Sequence, residues 1–209
     1  MEKRVVEFNQ VALQRPDMRK SDDMFNRVMS KDNIAVVCLF ENSTSGTRLI
    51  VANGHLTWDP LFRDVKLVQA AMLMEEIEKI AGHFAKYPPP LLGVERVPGP
   101  SYSDATKIPL IVCGDFNSIP DSGVYEFLSS GSAPKDHEDF MDHVYGSYTT
   151  DGLSHSLNLK SAYSTVGEIK MTNFVPTCTS LSRWPSTLPS TSADHAPLSL
   201  LRIFSQGRD

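Results

Sequence analysis

Ile111-Val112-Cys113-Gly114-Asp115-Phe116-Asn117-Ser118 is an apolar strand that runs directly into polar groups. Side chains alternate along a strand, so Asp115 and Asn117 are expected to share one face at its end while Phe116 turns back to the core. A carboxylate beside an amide can activate a water and hold a phosphate oxygen. Gly114 is expected to let the chain approach whatever binds there. Ser118 to Ser122 then reads as a turn, and Gly123 to Leu128 as the start of a helix.

Two more segments share this design. Leu49-Ile50-Val51-Ala52-Asn53-Gly54-His55-Leu56 is a second apolar strand ending in polar groups, Asn53 and His55. Ser192-Ala193-Asp194-His195-Ala196-Pro197 places an acid and an imidazole just before a third apolar run, Leu198 to Phe204. If the three ends converge, they form a metal-assisted phosphodiesterase site. Each pair also has a plainer reading. Asp115 and Asn117 alone could cap a turn, His55 alone could be a satisfied histidine, and Trp58 is more often core than a nucleobase platform.

The chain's 209 residues and 41% apolar content suit one domain, 1–209, with a substantial core. A net charge of −5 leaves no global basic footprint, so any nucleic-acid contact has to be local. Cys38, Cys113 and Cys178 are far apart and form no CxxC pair, which argues against structural zinc and a disulfide framework and for buried thiols in a reducing compartment. No apolar run approaches the roughly 18 residues of a membrane span, and Met1-Glu2-Lys3-Arg4 does not open a signal peptide.

Periodicity supplies the remaining elements. Val5 to Gln14 has helical spacing, and Arg15 to Lys31 reads as a loop with a short turn at Met24 to Val28. Ile34 to Glu41 and Arg48 to Asn53 read as a hairpin across Asn42-Ser43-Thr44-Ser45-Gly46-Thr47. Asp64 to Phe84 is the clearest helix, with one apolar stripe, one charged face, Asp64 suited to the helix dipole, and Met72 and Met74 as core filling. Tyr87 to Pro100 is Pro-rich and reads as a surface loop. Ser129 to Leu157 reads as irregular with one short helix, and its His137, His143 and His155 as solvated surface before a metal cluster. Leu159 to Tyr163 and Asn173 to Thr177 read as strand borders. Strands and helices interleave without a strict βαβ rhythm, which predicts a mixed sheet sandwich covered by helices, an α+β layout.

With these residues in view, the chain resembles the endonuclease/exonuclease/phosphatase superfamily. Within it, the chain is most similar to the carbon catabolite repression type poly(A) deadenylases. The resemblance runs from about Val5 to Thr177. It is carried by Val51-Ala52-Asn53-Gly54-His55-Leu56-Thr57-Trp58-Asp59-Pro60, Asp64-Val65-Lys66-Leu67-Val68-Gln69, Gly114-Asp115-Phe116-Asn117-Ser118 and Met171-Thr172-Asn173-Phe174-Val175-Pro176-Thr177. Gly-Asp-Phe-Asn-Ser alone indicates only the superfamily; the segments Trp58 to Pro60 and Asp64 to Gln69 make the deadenylase assignment specific.

The resemblance implies a four-layer αββα sandwich of the DNase I-like type, incomplete at the N-terminal side, and a Mg²⁺-dependent 3′-exoribonuclease that degrades mRNA poly(A) to AMP with two magnesium ions. It implies that Asp115 activates water or binds metal and that Asn117 steadies the scissile phosphate. His55 would contact the phosphate, Asn53, Trp58 and Pro60 would meet the substrate, Asp194 would bind metal, and His195 would stabilise developing charge. It further implies poly(A) RNA and the other subunits of the Not deadenylase complex as partners, cytoplasmic and nuclear localisation, and no membrane.

Departures from the family pattern accompany it. No Gln-Glu pair precedes Val5, so the metal-binding glutamate and the opening strand are expected upstream of Met1, and the leucine-rich repeats that recruit partner subunits are not present in the sequence. Cys178 stands where the family has an aromatic residue, and Arg183 where it has the aspartate that orients the histidine matched by His195. With fewer carboxylates, Mg²⁺ is expected to bind weakly or not at all here, and a catalytically inactive remnant, or a binding module of the same fold, is the alternative reading. A sibling phosphatase or DNA-repair nuclease is a third.

Overall fold

Six strands form one mixed sheet in the order β1-β2-β3-β4-β8-β7. The computed structural model describes residues 1–17, 20–88, 100–162 and 201–206. The hairpin predicted from Asn42–Thr47 is present: β2 (Ile34–Glu41) pairs antiparallel with β3 (Arg48–His55). Its turn is closed by the Asn42 side chain, which accepts from the Thr44 and Ser45 amides at 2.8 Å. From β3 the chain crosses through α2 (Arg63–Ala85) and returns as β4 (Leu110–Asp115), parallel to β3. A parallel pair needs such a long connection, and a helix on one face is its usual form. At the far side, β8 (Leu201–Gln206) runs antiparallel to β4, and β7 (Leu159–Ser161) antiparallel to β8.

Alternation decides which face meets the helices. Ala35, Val37, Leu39, Ile50, Ala52, Leu110 and Val112 are buried. Their neighbours Val36, Cys38, Leu49, Val51, Ile111 and Cys113 are only half-buried on the opposite face. Helix α2 lies on the buried face, where Leu73 Cδ2 sits 3.5 Å from the position a side chain would take at Gly54. Met72 and Met74 are fully buried, as core filling requires. These layers, one of strands and one of helices, are the α+β arrangement expected.

Several elements differ from expectation. Val5 and Val6 belong to a strand, β1 (Glu2–Glu7), paired antiparallel with β2; only Phe8–Leu13 (α1) is helical. A six-residue helix has little propensity of its own, while the free edge of β2 offers a complete ladder of hydrogen bonds. Helix α2 lacks a simple charged face in its first half: Asp64 through Met74 are all buried, Asp64, Lys66 and Gln69 among them. Ser129 to Leu157 carries more structure than predicted, with α3 (Gly123–Ser130) running into it, a short strand pair β5 (Ser132–Ala133) and β6 (Leu153–Ser154), and α4 (Ser147–Thr150). Met24–Val28 is a single wide helical turn, as anticipated. Most of the Tyr87 to Pro100 loop, Asn173 to Thr177, Cys178, Arg183, Asp194 and His195 lie outside the described residues.

Candidate active site

The parallel pairing of β3 and β4 sets His55 directly beside Asp115 at the carboxyl ends of both strands. His55 Nε2 lies 3.7 Å from Asp115 Oδ2. Asn53 precedes His55 by one strand repeat and shares its exposed face. The antiparallel strand β8 begins at the same end, with Leu201 paired to Asp115. Two of the three predicted strand ends therefore meet, and the third apolar run arrives beside them.

Asp115 is held in place. Its Oδ1 accepts the Asn117 amide at 3.0 Å, an Asx turn that aims the carboxylate back over the chain end. Phe116 is buried, as the alternation demanded. Asn117 has left the strand: φ is +46°, in the left-handed region that Asn tolerates better than most residues. Its Nδ2 donates to the Leu56 carbonyl at 3.0 Å, and the Leu56 amide donates to the Asp115 carbonyl at 3.0 Å. The two strand exits are thus stitched together through Asn117.

Gly114 has a different reason from the one expected. A Cβ there would lie 1.9 Å from the Gly54 carbonyl oxygen, and φ is +141°. The glycine serves the close approach of the two strand backbones. Nearby, Cys113 donates its thiol to the Ala52 carbonyl at 3.3 Å, and partial burial pushes that thiol up from its ordinary pKa; Cys38 and Cys113 are half-buried rather than the fully buried thiols expected.

Beyond β3 the chain makes a tight turn. Asp59 Oδ1 accepts the Leu61 amide at 2.9 Å and its carbonyl accepts the Phe62 amide at 3.1 Å. Asp followed by Pro at the next position is the usual chemistry of such a turn. The turn pushes Trp58 and Leu61 into solvent, 71% and 73% exposed, with Pro60 also exposed. Trp58 is therefore not a core residue.

The following residues go the other way. Asp64 is fully buried and takes a bidentate grip from Arg27, Nε to Oδ2 at 2.6 Å and an Nη to Oδ1 at 2.9 Å, while the Tyr145 hydroxyl donates to the same carboxylate. Burial by itself would raise the Asp64 carboxyl; the hydrogen bonds from Arg27 and Tyr145 outweigh it and hold the group below the usual carboxylate range. Burial and the Asp64 charge push the Tyr145 phenol well above its ordinary value. Nothing in the sequence linked Arg27, Asp64 and Tyr145, which come from three separated segments.

The three histidines of the 129–157 region are engaged separately. His137 Nδ1 accepts the Asp139 amide at 3.0 Å, His143 meets Asp23 at 2.8 Å, and His155 meets the Phe127 carbonyl at 3.0 Å. The His137 side chain is 10% exposed, and His155 is packed edge-on against Phe127, with burial lowering its pKa, so neither is the solvated group expected. Among the described residues, no group of three or more His, Cys, Asp or Glu side chains could hold a metal ion. The described part of the site offers one carboxylate, Asp115. One carboxylate holds Mg²⁺ weakly, because the ion gives up its waters only to a favourable set of oxygen ligands.

This mixed sheet, with one helical layer and an acid-amide-imidazole set at the end of its central parallel pair, has the fold of the endonuclease/exonuclease/phosphatase nucleases. The catalytic domain of human Nocturnin aligns with 99% of the chain at a TM-score of 0.50 and 18% identity, covering 47% of that structure. ANGEL2, a 2′,3′-cyclic phosphatase, aligns with 99% of the chain at 0.56 and 21% identity, covering 55% of its own chain.

Sequence similarity narrows the assignment, and the chain belongs to the carbon catabolite repression branch of this superfamily. It is 60% identical over 177 residues to the CCR4-Not complex 3′-5′-exoribonuclease subunit Ccr4 of Mycosarcoma maydis, and 52% identical over 180 residues to the Ccr4 subunit of Schizosaccharomyces pombe. Each alignment spans 84% of this chain and 26% of the relative, so the chain covers about a quarter of the length of the curated relatives it matches. No protein-family model matches the chain. Among the described residues, no helix is long and apolar enough to cross a membrane.

Proposed function

We propose that this chain carries part of a Mg²⁺-dependent 3′-exoribonuclease site that shortens poly(A), acting in the cytoplasm and nucleus with other subunits of a Not-type complex. The observation that carries this reading is the juxtaposition of His55 and Asp115, 3.7 Å apart at adjacent parallel strand ends and braced by Asn117. The names of its relatives favour a ribonuclease over a phosphatase or DNA-repair enzyme of similar fold.

In this reading Asp115 orients the attacking water and accepts its proton, a role that suits a carboxylate whose position is fixed by the Asn117 amide. His55, largely exposed and facing the same carboxylate, meets the phosphate oxygens as they gain charge. Asn117 steadies the phosphate through its side-chain amide. The exposed Trp58 and Pro60 offer flat apolar surface to adenine. Asp115 and Asp194 would hold a magnesium ion, which would supply charge neutralisation at the phosphate. His195 would add a second imidazole.

The full chain incubated with oligo(A) and Mg²⁺ beside Asp115→Ala tests the proposal. Ladder shortening that falls by about 10²–10⁴-fold in the variant supports it, the range expected for loss of a general base. No shortening by either chain, with poor Mg²⁺ binding by calorimetry, favours the inactive remnant or binding module instead.

A further inference from the structure

Helix α2 buries two polar side chains one turn apart, and both reach the ends of the strands that carry the site. Lys66 is 6% exposed and donates from Nζ to the Asn117 carbonyl at 3.1 Å. Among the described residues it forms no ion pair. Gln69 is fully buried; its Oε1 accepts the Thr57 amide at 2.9 Å and its Nε2 donates to Asn33 Oδ1 at 3.2 Å. Asn33 Nδ2 in turn donates to the His55 carbonyl at 3.0 Å. Thr57 Oγ1 completes the ring, 2.9 Å from Asn33 Oδ1.

Neither residue is explained by packing. The flanking positions Val65, Leu67, Val68, Ala70 and Ala71 are apolar and buried. At such a position an apolar side chain of the same length would avoid desolvating an ammonium or an amide. The desolvation of Lys66 is real: burial pushes its pKa below the ordinary value, only partly offset by the carboxylates of Asp139 and Asp59. What each group returns is a strand-end contact. The chain after β4 turns through a left-handed residue at Asn117, whose carbonyl has left the sheet ladder and needs a donor. The chain after β3 leaves the sheet at Thr57, whose amide needs an acceptor.

We infer that Lys66 and Gln69 are the positioning residues of the site, each governing one strand exit: Lys66 sets Asn117, and Gln69, through Thr57 and Asn33, sets His55 and the start of the Trp58 turn. The inference rests on the reading of the β3–β4 end as the nuclease site. The helix acts as one rigid spacer, because residues three apart lie on the same face. It fixes the distance between imidazole and amide from beneath, while Asn117 to Leu56 and Leu56 to Asp115 fix it from the chain itself. Neither Lys66 nor Gln69 touches the reacting atoms.

The test uses the isotope-labelled full chain and three variants: Lys66→Met, Lys66→Arg and Gln69→Leu. Met keeps the length and packing of the lysine stem and Arg keeps the donor. In Lys66→Met, hydrogen exchange at the Asn117 amides should quicken by about tenfold or more, with the Thr57 amide unmoved. Gln69→Leu should give the converse pattern. With Mg²⁺ and oligo(A), Lys66→Met should lose kcat by about 10- to 100-fold with KM within about twofold, the signature of a misplaced group rather than a lost binding contact. Lys66→Arg should recover most of both readouts. Asn117 signals unchanged in Lys66→Met overturn the inference, as does equal loosening of both strand exits without rescue by Arg, which denotes a general packing defect. A wild-type chain that leaves oligo(A) intact counts against the nuclease reading, while the exchange pattern still decides whether the two residues position the strand ends.

Discussion

The two short segments that tie this chain to its relatives, Trp58 to Pro60 and Asp64 to Gln69, sit next to each other in sequence and have opposite fates. The first is a turn held by its own Asp59, with Trp58 and Pro60 out in water. The second is buried, with each polar side chain matched to a partner from elsewhere in the fold: Asp64 to Arg27 and Tyr145, Lys66 to Asn117, Gln69 to Thr57 and Asn33. The two segments thus divide into an exposed rim and a buried floor behind the strand ends. A motif recognised in sequence does not say which of these it is.

The contrast can be broken most severely at the floor. Arg27→Ala leaves the Asp64 carboxylate buried without its cation and should cost about 3–5 kcal/mol in urea unfolding. Replacing the pair together, Arg27→Met with Asp64→Leu, should recover most of that loss, because the penalty lies in the unpaired charge. If the single variant costs under about 1 kcal/mol, the floor is not the rigid element inferred from its contacts.

At the rim the sign of the comparison reverses. Trp58→Ala should leave unfolding within about 0.5 kcal/mol of the parent, as for exposed positions generally. The same substitution should weaken oligo(A) binding by about 1–3 kcal/mol if a base stacks on the indole. Fluorescence anisotropy with labelled oligo(A) measures this, and unchanged affinity would remove Trp58 from the substrate surface.

The smallest effect sharpens the comparison through pH. The Asp64 carboxyl is held below its ordinary value of 3.8 in the folded protein, so the unfolded chain binds the proton first as pH falls. The stabilisation it brings is complete above that value and is lost as pH drops through the folded pKa. Thermal melts between pH 5 and about pH 2.5 should therefore fall more steeply for the parent than for the Arg27→Met, Asp64→Leu double variant. Equal slopes would mean that Asp64 is not held in its charged form.

Much of the architecture was legible along the chain. The hairpin, the long helix, the Phe116 inward turn and the start of α3 follow from alternation, helical periodicity and turn residues, all of which are local. The pairing of His55 with Asp115 was legible as two strand ends of like character, though their contact depends on the parallel register. What misled was local pattern where tertiary pairing was stronger. Val5 and Val6 have helical spacing with their neighbours but pair with β2, and Gly114 sits at a binding turn but is required by the Gly54 backbone behind it. The histidines at 143 and 155 gave no sign of their partners, because Asp23 and the Phe127 carbonyl belong to other elements.

The amino-acid order alone determined where strands end in polar groups, since a strand's alternation and its terminating Asp, Asn or His are written in adjacent residues. Only the folded molecule decided that Asp64, Lys66 and Gln69 go inward and Trp58 outward. A buried charge or amide is tolerated where a partner waits, and those partners, Arg27, Tyr145, Asn117 and Asn33, are brought to the helix by the rest of the chain.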